Sequence, residues 1–218
     1  AIRDRHLETY ADLAHRSRRG LQGAGLAAAM ETLLPEEENL LAAIDWGARA
    51  PARVPLAMRL VTDAQRFWTL RGRLALARTI IEQVLAADTT REPTDLRGEL
   101  LARLAGIELS HGHTDSEAAR HWLNEALEIG RTLKLDALRA MALSGLSVVA
   151  ICQDRFHDCL ELSEQARETY ARLGHPRGVG LSLHNIATTE MVLGRIEAAT
   201  ARLEEALVVL AQVGEAPA

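Results

Sequence analysis

The chain has 218 residues, 48% of them hydrophobic and 25% charged, enough for one or two buried cores or one continuous repeat core. A formal net charge of −5 excludes a global basic field that would draw it to nucleic acid or an anionic membrane. Two cysteines, Cys152 and Cys159, exclude a disulfide framework and suit a reducing cytoplasm, the expected location.

Of the 25 basic residues only Lys134 is a lysine, the coding bias of a high-GC genome such as that of an actinobacterium. The longest uncharged run, Ala140 to Gln153, is fourteen residues, short of the roughly 20 that span a bilayer. No membrane contact is expected. The opening Ala-Ile-Arg-Asp-Arg-His lacks an apolar signal stretch and starts in mid-pattern, as in a piece of a longer protein.

Residues 1–54 read as an N-terminal helical segment. Leu7, Tyr10, Ala11 and Ala14 place one apolar face on a helix over 2–18, ended by Arg16, Arg18 and Arg19, whose charges complement its dipole. Gly20 to Gly25 breaks it. This stretch is no phosphate loop, because no strand precedes it and no Gly-Lys-Ser/Thr follows. Helices over 26–34 and 35–49 follow, with Pro35 and Glu36, Glu37 and Glu38 in a first turn that favours both proline and negative charge. Pro51 and Pro55 mark a linker.

From residue 55 a repeat takes over, clearest at residues 185–207, where two amphipathic helices meet at Gly194. Ala77, Ala119, Cys159 and Ala199 recur at spacings of 42, 40 and 40 residues, and Val84, Ala126, Ala166 and Ala206 recur in step. Small residues are needed where two helices cross closely. The expected fold is all-α, a right-handed superhelix of tetratricopeptide-like hairpins at about 55–88, 93–133, 136–173 and 176–213. The Leu-Gly-Arg-x-x-x-Ala turn favours this class, with a HEAT-type solenoid as the alternative at this period. Gly72 matches Gly194 as a turn residue, Asp154 replaces it in the third hairpin, and Thr94 and Asp136 are candidate N-caps. The last hairpin is expected to leave an apolar face with Leu207 and Leu210 open, a candidate dimer contact, because 211–215 reads like the lead-in to another repeat.

Residues for chemistry are sparse. His111, His113, Asp115 and His121 form the best metal set, but no cysteine or second carboxylate stands nearby, so no metal and no cofactor are expected. Cys159 fills a slot held elsewhere by alanine, which favours packing over a redox pair with Cys152. Trp46, Trp68 and Trp122 fall in different elements and read as core or semi-core. Without a nucleophile motif the chain is expected not to be an enzyme. Its first helices would instead line a concave groove carrying Thr62, Arg66, Thr69, Glu99, Arg103, Ser144, His184, Asn185, Thr188 and Met191, with Leu109, Val148 and Ile151. Such a surface suits a peptide, a protein partner or a small inducer. It lacks the lysine-and-asparagine set that clamps a terminal carboxylate, so a chaperone adaptor is disfavoured.

Two segments carry a more particular likeness. Glu36-Glu-Glu-Asn-Leu-Leu-Ala-Ala-Ile-Asp-Trp46 resembles a Glu-x-x-Asn-Leu-Arg-Ala-Ala-Leu-x-Trp stretch, and Arg66-Phe-Trp-Thr-Leu-Arg-Gly72 resembles an Arg-Phe-Trp-x-x-Arg-Gly stretch. Both belong to the large multidomain signal-transduction ATPases of actinobacteria, of LuxR-type or antibiotic-pathway-regulator architecture. The resemblance implies a sensor and interaction domain of a transcriptional regulator, acting on ATPase and DNA-binding modules elsewhere in the parent chain. It implies no direct nucleic-acid contact by these residues.

Overall fold

Every regular element is helical in the computed structural model, which describes residues 2–23, 25–110 and 117–214. The chain divides into two compact units, Ala1–Glu92 and Pro93–Ala218. Thus the hairpin that opens the repeat packs with the N-terminal segment.

Unit 1 contains α1 (Ile2–Ser17), α2 (Leu26–Leu33), α3 (Glu37–Ala48), α4 (Val54–Leu70) and α5 (Leu74–Ala87). Helix α4 is its centre, with Leu60, Ala64, Phe67 and Trp68 fully buried against α1, α3 and α5. Leu7, Ala11 and Ala14 form the buried stripe of α1, as its periodicity predicts. Pro51 and Pro55 make no linker. Pro51 opens a 3₁₀ turn and Pro55 is the second residue of α4, where a missing N–H costs nothing.

Unit 2 contains three hairpins: α6 (Asp95–Ser110) with α7 (Glu117–Thr132), α8 (Asp136–Cys152) with α9 (Phe156–Arg172), and α10 (Pro176–Val192) with α11 (Ile196–Gly214). The turns after α8, α9 and α10 share one chemistry. The N–H groups of Arg155, His175 and Arg195 each bond the carbonyl five residues back, at 2.8–2.9 Å, across a residue of positive φ. Gly174 and Gly194 hold that conformation without cost, whereas Asp154 holds it with a side chain, at φ 56°. Asp154→Gly is therefore expected to stabilise the protein by about 1 kcal/mol in thermal melts. A lower melting temperature would show that the aspartate has another local role.

The eight residues of the repeat register are all buried, from Ala77 to Ala206. Ala199, 1% exposed, has no room for a larger side chain. Ala199→Leu is expected to destabilise by about 1–3 kcal/mol through overpacking, and an unchanged melting temperature would contradict the close crossing of α10 and α11. Thr94 caps α6, its hydroxyl accepting from the Arg97 N–H at 3.2 Å. Asp136 does not cap α8. It is the first helical residue, and its carboxylate accepts from Arg139 at 2.8 Å, because Leu135 occupies the cap position. On α11, Leu207 and Val208 are exposed, at 68% and 62%. No helix among the described residues is long and apolar enough to cross a membrane.

Candidate functional site

Helix α6 presents a stripe at i, i+4 and i+7, helix α8 one at i, i+3 and i+7, and α10 adds a single residue. Ala102, Gly106 and Leu109 lie on α6, Met141, Ser144 and Val148 on α8, and Leu181 on α10. With Arg103, Ser110, Gly145 and Tyr170 they line one open groove of about 430 Å³ within unit 2. Leu109, Met141, Val148 and Leu181 make apolar walls, and glycine, alanine and serine make the floor. Arg103 is the charged lining residue, held by Glu99 one turn before it on α6.

Tyr170 closes one side because α10 makes room for its ring. A Cβ at Gly178 would lie 2.4–2.6 Å from three ring carbons, so only glycine admits the contact. Burial pushes the Tyr170 hydroxyl up to about 12. In the unfolded chain it ionises near pH 10, so the folded state keeps the proton longer. That contribution is complete below about pH 10 and is lost between about 10 and 12, reaching roughly 3 kcal/mol. Stepwise alkaline melts combined with tyrosinate absorbance are expected to show this slope, and Tyr170→Phe is expected to remove it. An unchanged slope in that variant would place the buried hydroxyl elsewhere.

The groove brings together Arg103, Leu109, Ser144 and Val148 from the sequence-predicted set. Glu99 stands beside it through Arg103. His184 and Met191 are exposed on α10, with Thr188 half-buried between them, its hydroxyl donating to the His184 carbonyl at 2.9 Å. Ile151 is half-buried near the end of α8. Asn185 is buried instead, its amide donating to the Ser147 hydroxyl at 3.0 Å and tying α10 to α8.

Thr62, Arg66 and Thr69 belong to unit 1. Thr62 is only 2% exposed with its hydroxyl unpartnered, so it is a core residue and not a groove residue. Arg66 is exposed and donates to the Leu21 carbonyl at 2.7 Å, while the Thr69 hydroxyl donates to the Arg66 carbonyl at 3.1 Å. Met141 and Leu181, missed in the sequence, are each one i−3 step before Ser144 and His184, so extending the stripe backwards finds both. Tyr170 comes from a second helix, and no stripe points to it.

The two segments that carry the likeness meet in space. Glu37 accepts from the Trp68 indole at 3.0 Å, from Arg71 at 2.6 Å and from Arg73. Burial pushes the Glu37 carboxyl up, but the Arg71 hydrogen bond and charge, with Arg73 and Trp68, outweigh it and hold it below the usual range. Trp46 lies under the Arg53 guanidinium at 3.9 Å, and its indole donates to Asp4 at 3.1 Å. The Tyr10 hydroxyl donates to Glu36 at 2.6 Å. In this chain, then, these residues tie α3 and the turn before it to α1, to α4 and to the turn between α4 and α5. His121 is exposed on α7, and His111, His113 and Asp115 lie outside the described residues. Cys159 is buried 3.0 Å from the Thr189 hydroxyl, whereas Cys152 is exposed.

Helical hairpins at a near-constant period, crossed at small residues and opening a groove between their first helices, define a tetratricopeptide-like repeat protein. Solved structures share this fold. BtubC (BKLC) from P. vanneervenii matches with a TM-score of 0.68 at 16% identity, over 100% of this chain and 94% of that one. A point variant of a Podosopora anserina putative kinesin light chain with nearly identical TPR-like repeats matches at 0.65 and 19% identity, over 97% and 99%. A second structure from the same Podosopora anserina protein matches at 0.60 and 20% identity, over 96% and 97%. No family model and no curated protein matches the sequence.

Proposed function

We propose that this chain is a non-catalytic interaction domain that binds a protein partner through the groove of α6, α8 and α10. The observation that carries the reading is the groove itself, a strip of apolar and small side chains on the first helices α6 and α8, extended by Leu181 of α10. Exposed apolar surface of this kind is expensive in water unless something covers it. The tetratricopeptide-like fold supports the reading, because repeat stacking creates concave surfaces of this type. A photo-cross-linking residue at Met141 or Leu181 is expected to capture a partner in the source cell. The same residue at the exposed Glu161 of α9 is expected not to. Equal capture from both positions would remove the groove from the reading.

The finer reading is a sensor module of a bacterial transcriptional regulator, in which a partner or inducer controls ATPase and DNA-binding modules outside this sequence. The two resembling segments support it, and Glu37, Trp68 and Arg71 give their side chains a shared structural task. Coupling of this kind requires two states that bind the ligand differently. Reading the native open reading frame tests it directly. A frame that encodes no phosphate-binding loop and no DNA-binding domain would sink the regulator reading and leave a free-standing scaffold.

A further inference from the structure

Gly106 sits in the interior of α6, where glycine is a poorer helix former than alanine. Helix packing does not ask for it, since a Cβ there would meet no atom within 4 Å. Gly98, Gly145 and Gly178 are different, because a Cβ at each would strike Leu138, Leu123 or Tyr170. The space left by Gly106, and by Ala102 one turn earlier, opens into the groove.

Ser144 points to a ligand independently. It is 4% exposed and lines the same floor. The hydroxyls of Ser147 and Ser182 donate to helix carbonyls at 2.7 and 3.0 Å. That of Ser144 has no hydrogen-bond partner among the described residues. That hydroxyl is therefore available to a polar group of a ligand in the groove.

We infer that the groove takes an amphipathic α-helix of the partner, apolar face down, packed closest over Ala102 and Gly106 with one polar side chain on Ser144. This rests on the groove being the binding site. The polar supply of the lining decides between a helix and an extended peptide. Among the described lining residues, only Arg103, Ser110, Ser144 and the Tyr170 hydroxyl could pair with a ligand. An extended segment carries an N–H and a C=O on each residue, and covering them in this groove would leave most unpaired. A helix arrives with those bonds already made. The glycine and alanine floor lets its axis approach at the short end of the roughly 8–10 Å range. Leu109, Met141, Val148 and Leu181 then meet side chains at i, i+3, i+4 and i+7 of the incoming helix.

The test is a display library of peptides about 18 residues long, five turns if helical. Half are patterned with apolar residues at helical spacing, and half carry proline and glycine throughout. It is panned against the whole chain, and enriched peptides are measured by anisotropy and circular dichroism. Helix-patterned binders are expected, gaining helicity on binding and weakening at least about tenfold against Gly106→Leu. Gly106→Leu fills open space and replaces a poor helix former, so its melting temperature is expected to hold or rise. Ser144→Ala, which keeps the floor, is expected to weaken the same peptides about threefold or more. Proline-containing binders sensitive to Gly106→Leu would overturn the helix and keep the groove. Binders indifferent to that change would overturn both, and an absence of enriched binders would overturn the helix proposal.

Discussion

Trp68→Ala is expected to cost unit 1 about 3–5 kcal/mol, the range for deleting a large buried aromatic side chain. Trp68 is fully buried at the centre of unit 1, packed edge-on against Phe67 with ring centroids 5.8 Å apart. The neighbouring helices are joined to α4 through several contacts, so the cavity can collapse only in part. The substitution also removes the indole donor from Glu37, which keeps Arg71 and Arg73 and stays paired. Trp68→Phe separates the two losses, since it keeps most of the ring and deletes only the donor. Its cost is expected near 1–2 kcal/mol, for a charge-assisted hydrogen bond whose acceptor has other partners and a small loss of volume. Urea denaturation, with hydrogen exchange of the α3 and α4 amides as the local readout, measures both. A Trp68→Ala loss below about 1 kcal/mol would contradict the burial of this ring.

Gly178→Ala has the opposite sign from the general rule. In a helix interior the change from glycine to alanine stabilises by about 0.5–1 kcal/mol. Here the added methyl would sit against Cγ, Cδ1 and Cδ2 of Tyr170 at 2.4–2.6 Å. A planar ring cannot give way as the tip of an aliphatic chain can, so α9 and α10 must move apart. A loss of about 1–3 kcal/mol is expected, together with reshaping of the groove wall that Tyr170 forms. In a Tyr170→Leu background the clash is relieved, and the same glycine change is expected to cost at least about 1 kcal/mol less. A Gly178→Ala protein more stable than its parent would show that the ring does not lie against this backbone.

Much of the architecture was legible because it is written in local terms. A glycine that ends a helix, a proline that begins one and a small residue at a crossing act through backbone sterics that the chain carries everywhere. Gly72 and Gly194 therefore marked their turns, and the small-residue register fell on buried positions. Legibility failed where a residue has two local options and its neighbours choose between them. Asp136 could cap α8, but Arg139 takes its carboxylate. Pro51 and Pro55 could open a loop, but they begin helical turns that pack on unit 1. Thr62 and Asn185 share the helical spacing of groove residues, yet one points into a core and the other is drawn to Ser147.

The sequence by itself determined the helical hairpins, their period, their turns and the small residues that let them cross, since each follows from propensity and spacing along the chain. Tertiary packing decided which face of each first helix stays open, that the first hairpin packs within unit 1, and that Glu37 gathers Trp68, Arg71 and Arg73. It also made Tyr170 part of the groove, through a notch at Gly178 that no periodicity announces. Those features depend on contacts between residues far apart in the chain, and only the folded protein brings them within reach of one another.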